Sequence, residues 1–199
     1  MATKRISTEP PWSSREPVAG ELILRGRTRS ELWGFGQHPS TSLCLSILTG
    51  LYSEHGPRPD RVVEFSCGSA LLCIAANKLG ALRVTGVEPD PELHAIAVEN
   101  AQGNGARLEL VASATDLIGV PTTLTIANLS ASGLQSNAEL LAKLAAHGHL
   151  LIAGFVEEER EQTEQLFLQR NYRFLYRETR ESLIATVFKA RAADAKGAA

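Results

Sequence analysis

The sequence predicts an α/β fold: a mostly parallel sheet with helices on both faces and an antiparallel hairpin at its C-terminal end. Three observations carry this reading. Short apolar runs, RVVEF, LRVTGVE, RLELV, TLTIANL and GHLLIAGF, alternate with helical patterns through the middle of the chain. Each β-to-β crossover is long enough for a helix, which is the connection that parallel neighbours need. The last stretch, YRFLYRETRESLIATVFKA, holds two strand-like runs around a polar centre at 178–181, the pattern of a hairpin at a sheet edge.

The elements follow in order. The start, MATKRISTEPPWSSREP, mixes Pro, Ser, Arg and Glu with little periodicity, so residues 1–31 are expected to be a mobile N-terminal arm. Residues 32–190 form the folded domain, and the Ala-rich end, 191–199, a disordered tail. A first helix over 41–52 places Leu43, Ile47 and Leu51 on one face, and HGPRPD breaks it. Further helices are predicted through SALLCIAANKLG, over 90–102, near 137–146 and over 157–170. The charged run EEEREQTEQ at 157–165 reads as a solvated helix face, with Arg160 and Glu164 spaced to pair.

Composition narrows the function classes. At 199 residues, 44% hydrophobic and 21% charged, the chain suits one domain with a substantial core. A formal charge of -2 argues against gripping a phosphate backbone, so nucleic acid is a disfavoured partner. No segment approaches the roughly 20 apolar residues of a membrane span. Cys44, Cys67 and Cys73 are odd in number and lie in apolar segments, which fits small core residues in a reducing cytoplasm.

In open α/β sheets ligands collect beyond the carboxyl ends of the strands, so the residues after each strand are the informative ones. After the first core strand come Glu64, Phe65 and the small-residue turn Ser66-Cys67-Gly68-Ser69-Ala70. After the second comes Glu88, about 20 residues past that turn, a spacing suited to accepting both ribose hydroxyls of an adenosine-containing ligand. The plainer alternative for Glu88 is a surface acid beside a helix capped by Asp90. The turn lacks the G-x-G-x-x-G spacing of dinucleotide loops, which disfavours NAD. No G-x-x-x-x-G-K-[ST] phosphate loop is present either.

Four segments, WGFGQHPSTSLCL, VVEFSCGSALLCIAANKLGA, VTGVEPDPELHAIAVENAQGNG and TIANLSA, resemble in order and spacing the bacterial methyltransferases that modify protein eleven of the large ribosomal subunit. The resemblance covers 32–189. It implies a class I methyltransferase (Rossmann-like) fold and S-adenosylmethionine as cofactor. It also implies cofactor-binding roles for Thr41, Glu64, Ser66, Gly68 and Glu88, and places Asn128 beside the transferring methyl as both cofactor-binding and catalytic. The family's pre-core loop falls on 34–41. Phe35 and Gln37 stand where the family has Thr, Glu64 where it has Asp, and Ser66 and Ala70 where it has Gly. The family's amino-terminal substrate domain is not matched by the segment ahead of Leu32, so the acceptor is not carried over.

The remaining candidates read as structural. His38 is expected to be a loop histidine, His147 and His149 turn residues rather than metal ligands, and Cys67 a small packing residue in the turn. Trp33 either lines the mouth of the site or anchors the arm. Asn128 is not followed by the Pro-Pro-aromatic of enzymes that methylate planar amines, which favours a flexible amine on a protein. The reading is therefore a methyltransferase acting on a protein amine. A catalytically degenerate binding or scaffold protein and a small-molecule methyltransferase stay open as alternatives, as do acceptor identity and oligomeric state.

Overall fold

The computed structural model describes residues 5–27 and 36–191. The order is β1 (Arg5–Glu9), β2 (Glu21–Arg25), α1 (Pro39–Leu51), β3 (Arg61–Phe65), α2 (Leu71–Leu79), β4 (Arg83–Val87), α3 (Pro91–Gly103) and β5 (Glu109–Val111). Then follow β6 (Leu124–Asn128), α4 (Ala131–Leu144), β7 (His149–Val156), α5 (Glu157–Leu168), β8 (Tyr172–Arg180) and β9 (Leu183–Ala190). Seven strands form the main sheet in the order β5-β4-β3-β6-β7-β9-β8. The first five are parallel, and β9 and β8 join antiparallel, as the sequence predicts.

Parallel strands covered on both faces must be apolar on both, and β6 is buried from Leu124 to Ala127. Alternation sends the two sides of each strand to different layers. On β7, Leu151 and Ala153 join the cluster under α1 and α2, built on Leu43, Ile47, Leu48, Leu72 and Ile74. Leu150 and Ile152 join the opposite cluster with Leu134, Leu141, Phe167, Tyr172 and Phe188. Phe155 also packs in that second layer, although strict alternation assigns it to the first. The register shift between Ala153 and Phe155 explains this, because a bulge adds one residue and reverses the parity. Gly154 occupies the bulge at φ 101°, where a Cβ would come within 2.5 Å of the Leu129 carbonyl oxygen. The bulge therefore needs glycine, and it brings β7 against the end of β6.

Three sequence expectations change. Within the supposed mobile arm, residues 5–25 contain two strands, β1 and β2, paired in parallel. They escape detection because each is only five residues long and they are separated by a Pro- and Ser-rich segment. Two side-chain amides, one on α3 and one at its C-cap, fasten the end of this unit to the domain. Asn100 Oδ1 accepts from the Arg27 amide at 2.8 Å, and its Nδ2 donates to the carbonyls of Arg27 at 2.9 Å and Ser69 at 3.0 Å. Asn104, one turn later, accepts from the Arg25 amide at 2.9 Å. The second change is at helix starts. α1 begins at Pro39, which puts Thr41 in a helical first turn rather than at the end of a loop, and α4 begins at Ala131, where Ser130 Oγ accepts from the Gly133 amide. The polar first turns of α4 hide its start. The third concerns Glu164, which is only 5% exposed. It accepts from Arg177 at 2.8 and 3.1 Å and from Thr186 at 2.8 Å, besides pairing with Arg160 at 3.7 Å. The disordered tail is expected on residues that lie, except for Arg191, outside the described ones.

The turn between β3 and α2 has three left-handed residues, Ser66 (φ 54°), Gly68 (φ 53°) and Ala70 (φ 58°). Ser66 thus does not have the ordinary backbone angles that would make a side chain there cost-free. Ser66→Gly should raise stability by about 1 kcal/mol, read from the urea midpoint at unchanged slope. An unmoved or lowered midpoint would count against strain at this turn. Asn100→Ala leaves the Arg27 amide and two carbonyls short of a partner in a buried place. It should lower stability by about 2 kcal/mol, and an effect under about 0.5 kcal/mol would show that the two amides do not anchor the β1–β2 unit.

Candidate active site

The strand order reverses between β3 and β6: β4 and β5 extend the sheet one way and β6 and β7 the other. The carboxyl ends of β3 and β6 flank that switch point, the usual place for a ligand in such sheets. A cavity of about 250 Å³ lies there, lined by Gly36, Thr41, Glu64, Ser66, Cys67, Gly68, Ser69, Leu71, Leu72, Leu93 and Asn128. Five of the six residues singled out in the sequence thus meet in one cavity wall. The sixth, Glu88, stands behind it.

Glu88 is 4% exposed, which rules out a plain surface acid. Its Oε2 accepts from the Gly68 amide at 2.8 Å and its Oε1 from the Asp90 amide at 3.0 Å. The carboxylate thereby joins the end of β4 to the turn after β3. Asp90 does cap α3, accepting from the amides of Glu92 and Leu93, so capping and bracing are divided between two neighbouring acids.

Glu64 is 5% exposed, and its Oε2 accepts from the Cys73 amide in the first turn of α2 at 2.8 Å. That helix has no side-chain cap at Ala70, so Glu64 reaches in from the strand to supply an acceptor. Burial pushes its carboxyl up to about 7, the Cys73 thiol and amide oppose the shift, and the nearby charge of Glu88 adds to it. Across the sheet Glu64 pairs with Gly86. A Cβ on Gly86 would lie 2.8 Å from Cys67 Sγ and 3.3 Å from Cys73 Sγ, so this glycine leaves room for both thiols beneath the turn. Burial pushes the Cys73 thiol well up. Cys67 packs as a small residue in the wall, as expected.

Asn128 ends β6, half-buried, and its Nδ2 donates to Thr41 Oγ1 at 3.3 Å. This joins a strand end to the first turn of α1 across 87 residues of sequence. Gly154 supports the arrangement, since a Cβ there would come within 3.2 Å of Asn128 Oδ1.

Other sequence candidates fall elsewhere. His38 is the N-cap residue of α1, and its Nδ1 lies 2.8 Å from Ser40 Oγ. His149 lies 3.3 Å from the Thr123 carbonyl, and burial lowers its pKa. Trp33, Gly34 and Phe35 lie outside the described residues. Leu93, Leu71 and Leu72 are not among the sequence-predicted site residues, whereas Ser69 and Gly36 fall in the turn and the pre-core loop marked by the resemblance. An apolar residue in the first turn of the helix after Glu88 was the one available signal for Leu93; the leucines of α2 read only as core.

The wall combines hydroxyls, amides and one carboxyl, and no Lys, Arg or His lines it among the described residues. It is suited to holding and aligning a ligand more than to shuttling protons. The turn amides, the start of α2 and the two acids fit an adenosyl amino-acid cofactor, whose carboxylate suits a helix start and whose ribose suits a carboxylate acceptor.

Comparison with known proteins agrees with this geometry. The family model described as ribosomal protein L11 methyltransferase (PrmA) matches residues 2–191. The ribosomal protein L11 methyltransferase of Geobacter sulfurreducens is 36% identical over 156 residues, covering 78% of this chain and 50% of that protein. That of Stenotrophomonas maltophilia strain K279a is 34% identical over 152 residues, covering 73% and 49%. The chain thus spans about half the length of the curated relatives it matches. Among solved structures, ribosomal protein L11 methylase from Lactobacillus delbrueckii subsp. bulgaricus superposes with a TM-score of 0.78 at 23% identity, covering 94% of this chain and 95% of that one. Precorrin-6y C5,15-methyltransferase from Geobacter metallireducens superposes with a TM-score of 0.61 at 15% identity, covering 84% of this chain and 94% of that one. The architecture is that of the class I methyltransferases, and by sequence the chain belongs to the ribosomal protein L11 methyltransferase family.

Proposed function

We propose that this chain is an S-adenosylmethionine-dependent methyltransferase that methylates an amine on a protein, with a ribosomal protein as the first acceptor to try. The observation that carries the reading is the convergence of the β3–α2 turn, Glu64 and the Asn128–Thr41 pair on one cavity at the switch point. The names of the relatives support the same chemistry. The described cysteines are free thiols, in keeping with a cytoplasmic protein, and no helix among the described residues is long and apolar enough to cross a membrane.

S-adenosylmethionine, when bound, supplies a methyl group on a positively charged sulfur. In this reading the amides of the turn at Ser66 and Gly68 hold the cofactor, and Glu88 takes the ribose hydroxyls while keeping Gly68 in place. Asn128 and Thr41 serve the methyl end. With Nδ2 of Asn128 committed to Thr41, its Oδ1 is left to accept an N–H of the incoming amine and so to aim the nitrogen lone pair. Alignment and exclusion of water then supply most of the rate. A flexible amine suits a wall with no aromatic clamp among the described residues.

Titration with S-adenosylmethionine and S-adenosylhomocysteine tests the reading. Micromolar binding is expected, and absence of binding by a folded protein would move the assignment to a scaffold role. Glu88→Ala removes the ribose acceptor and the brace on Gly68, so both affinities should fall at least about tenfold. Unchanged affinity in a folded variant would sink the site assignment.

Glu64 gives the site a pH dependence. Its carboxyl ionises at about 7 in the folded protein against an ordinary 4.5. Above 4.5 the unfolded chain ionises first, so this group costs stability progressively as pH rises to about 7, with the full cost beyond. A cationic sulfur favours the ionised form, so binding below pH 7 releases a proton. The affinity for S-adenosylmethionine should therefore climb between about pH 5 and 7 and level off, while that for S-adenosylhomocysteine, whose sulfur is neutral, stays flatter. Glu64→Gln should erase the contrast; parallel profiles for the two ligands in the wild-type protein would refute it.

A further inference from the structure

Beyond the cavity, at the same end of the sheet, β1, the face of α1 that carries Ser42, Leu45, Ser46 and Thr49, and the end of β8 enclose a second groove of about 600 Å³. Gly36 lines both spaces, and the consecutive residues Thr41 and Ser42 face one each. Strand direction explains why they adjoin. β9 runs antiparallel to β7 and β8 antiparallel to β9, so β8 runs parallel to β6 and β7. Its last residue, Arg180, therefore arrives at the carboxyl end of the sheet, where Asn128 ends β6.

The groove has hydroxyls on its walls, among them Ser7, Ser46 and Thr49, over the apolar Leu45. Two cations border it, and they are not equivalent. Arg5 pairs with Glu21 at 3.2 Å, and Glu21 also takes Arg15 at 3.0 Å and the hydroxyl of Ser7. Arg180 is exposed and donates through Nη1 to Ser42 Oγ at 2.7 Å. No carboxylate lies within ion-pair distance of it among the described residues, that of Glu178 on the same strand included. One hydrogen bond to a helix hydroxyl orients the guanidinium and leaves four of its N–H donors for a ligand. A planar carboxylate matches such a fork.

We infer that this groove docks the methyl acceptor, and that Arg180 receives the carboxylate of an acidic residue flanking the methylated amine on a polypeptide. The purpose given to the groove rests on the methyl-transfer reading above; the contact at Arg180 does not. A single uncompensated arginine, with Glu178 and Glu181 beside it in sequence, suits one carboxylate and not the row of phosphates that RNA presents.

The test uses fluorescence anisotropy on the full chain at low salt, with two labelled probes: short lysine peptides carrying glutamate, or glutamine, on both sides of the lysine. The wild-type protein should bind the glutamate peptide about tenfold more tightly. Arg180→Gln should abolish the preference and Arg180→Lys should keep part of it. Arg173→Gln, an exposed arginine at the opposite end of β8, should change nothing. Arg180→Gln should also bind S-adenosylmethionine as the wild type does, since it lies outside the cofactor cavity. Equal binding of the two peptides, no binding of either, a preference that survives Arg180→Gln, or tighter binding of an oligouridylate that depends on Arg180 would each overturn the inference. Loss of cofactor binding with the peptide preference intact would instead defeat the methyl-transfer reading and leave the contact standing. Cofactor binding without a peptide preference would do the reverse.

Discussion

The carboxylate of Glu88 on the amide of Gly68 is the interaction on which the site depends. Burying an anion is costly unless donors surround it, and Glu88 is buried at 4% exposure with two backbone amides as donors. In return it fixes a turn that its own residues disfavour. Three of the five residues from Ser66 to Ala70 are left-handed and two of them carry side chains. Glu64 anchors the other end of the turn by accepting from Cys73 at the start of α2. Two acids from adjacent strands thus hold the turn from below, and their proximity is one reason the Glu64 carboxyl is pushed up toward neutrality. Ser66 and Ala70 can replace glycine here because the surroundings, more than the local sequence, decide the turn's conformation.

A second constraint positions Asn128. Asn128 is the last residue of β6 and could point several ways; the bulge at Gly154 on β7 and the Thr41 hydroxyl on α1 limit it from two sides. The same bulge turns Phe155 into the opposite core layer, so the packing of α4 and α5 and the placing of Asn128 share one backbone irregularity. A side chain at 154 would disturb both together.

Much of this was legible in the sequence because it depends on periodicity and on order along the chain. Alternating runs and crossover lengths give the parallel sheet and its antiparallel end. The spacing of Glu64, the small-residue turn and Glu88 picks out residues that meet at the switch-point cavity. What escaped depends on contacts between distant residues. The β1–β2 pair is too short for periodicity to register and is held by Asn100 and Asn104, two amides that look like ordinary surface residues on α3 and at its C-cap. Glu164 sits in an acidic run typical of a solvated face, yet it is buried because Arg177 and Thr186, from strands far along the chain, meet it. The left-handed angle at Ser66 was hidden for a related reason: sequence shows that glycine is missing, but not that its conformation is kept.

The first turn of α1 links these arguments. Thr41 holds Asn128 at the end of β6, and the next residue, Ser42, holds Arg180 at the end of β8. On a helix, consecutive residues point about 100° apart, which is why one turn can present one hydroxyl to the switch-point cavity and the other to the groove. His38 occupies the N-cap position without a side-chain cap, and Pro39 begins the turn with a backbone angle already suited to a helix. A rigid support shared by two strand ends fixes the cavity and the groove relative to one another, which is what the proposed docking of an amine beside a methyl donor requires. The constraint is geometric: Asn128 and Arg180 are hydrogen-bonded to adjacent residues of one helical turn, so a substitution that tilts α1 disturbs both contacts together.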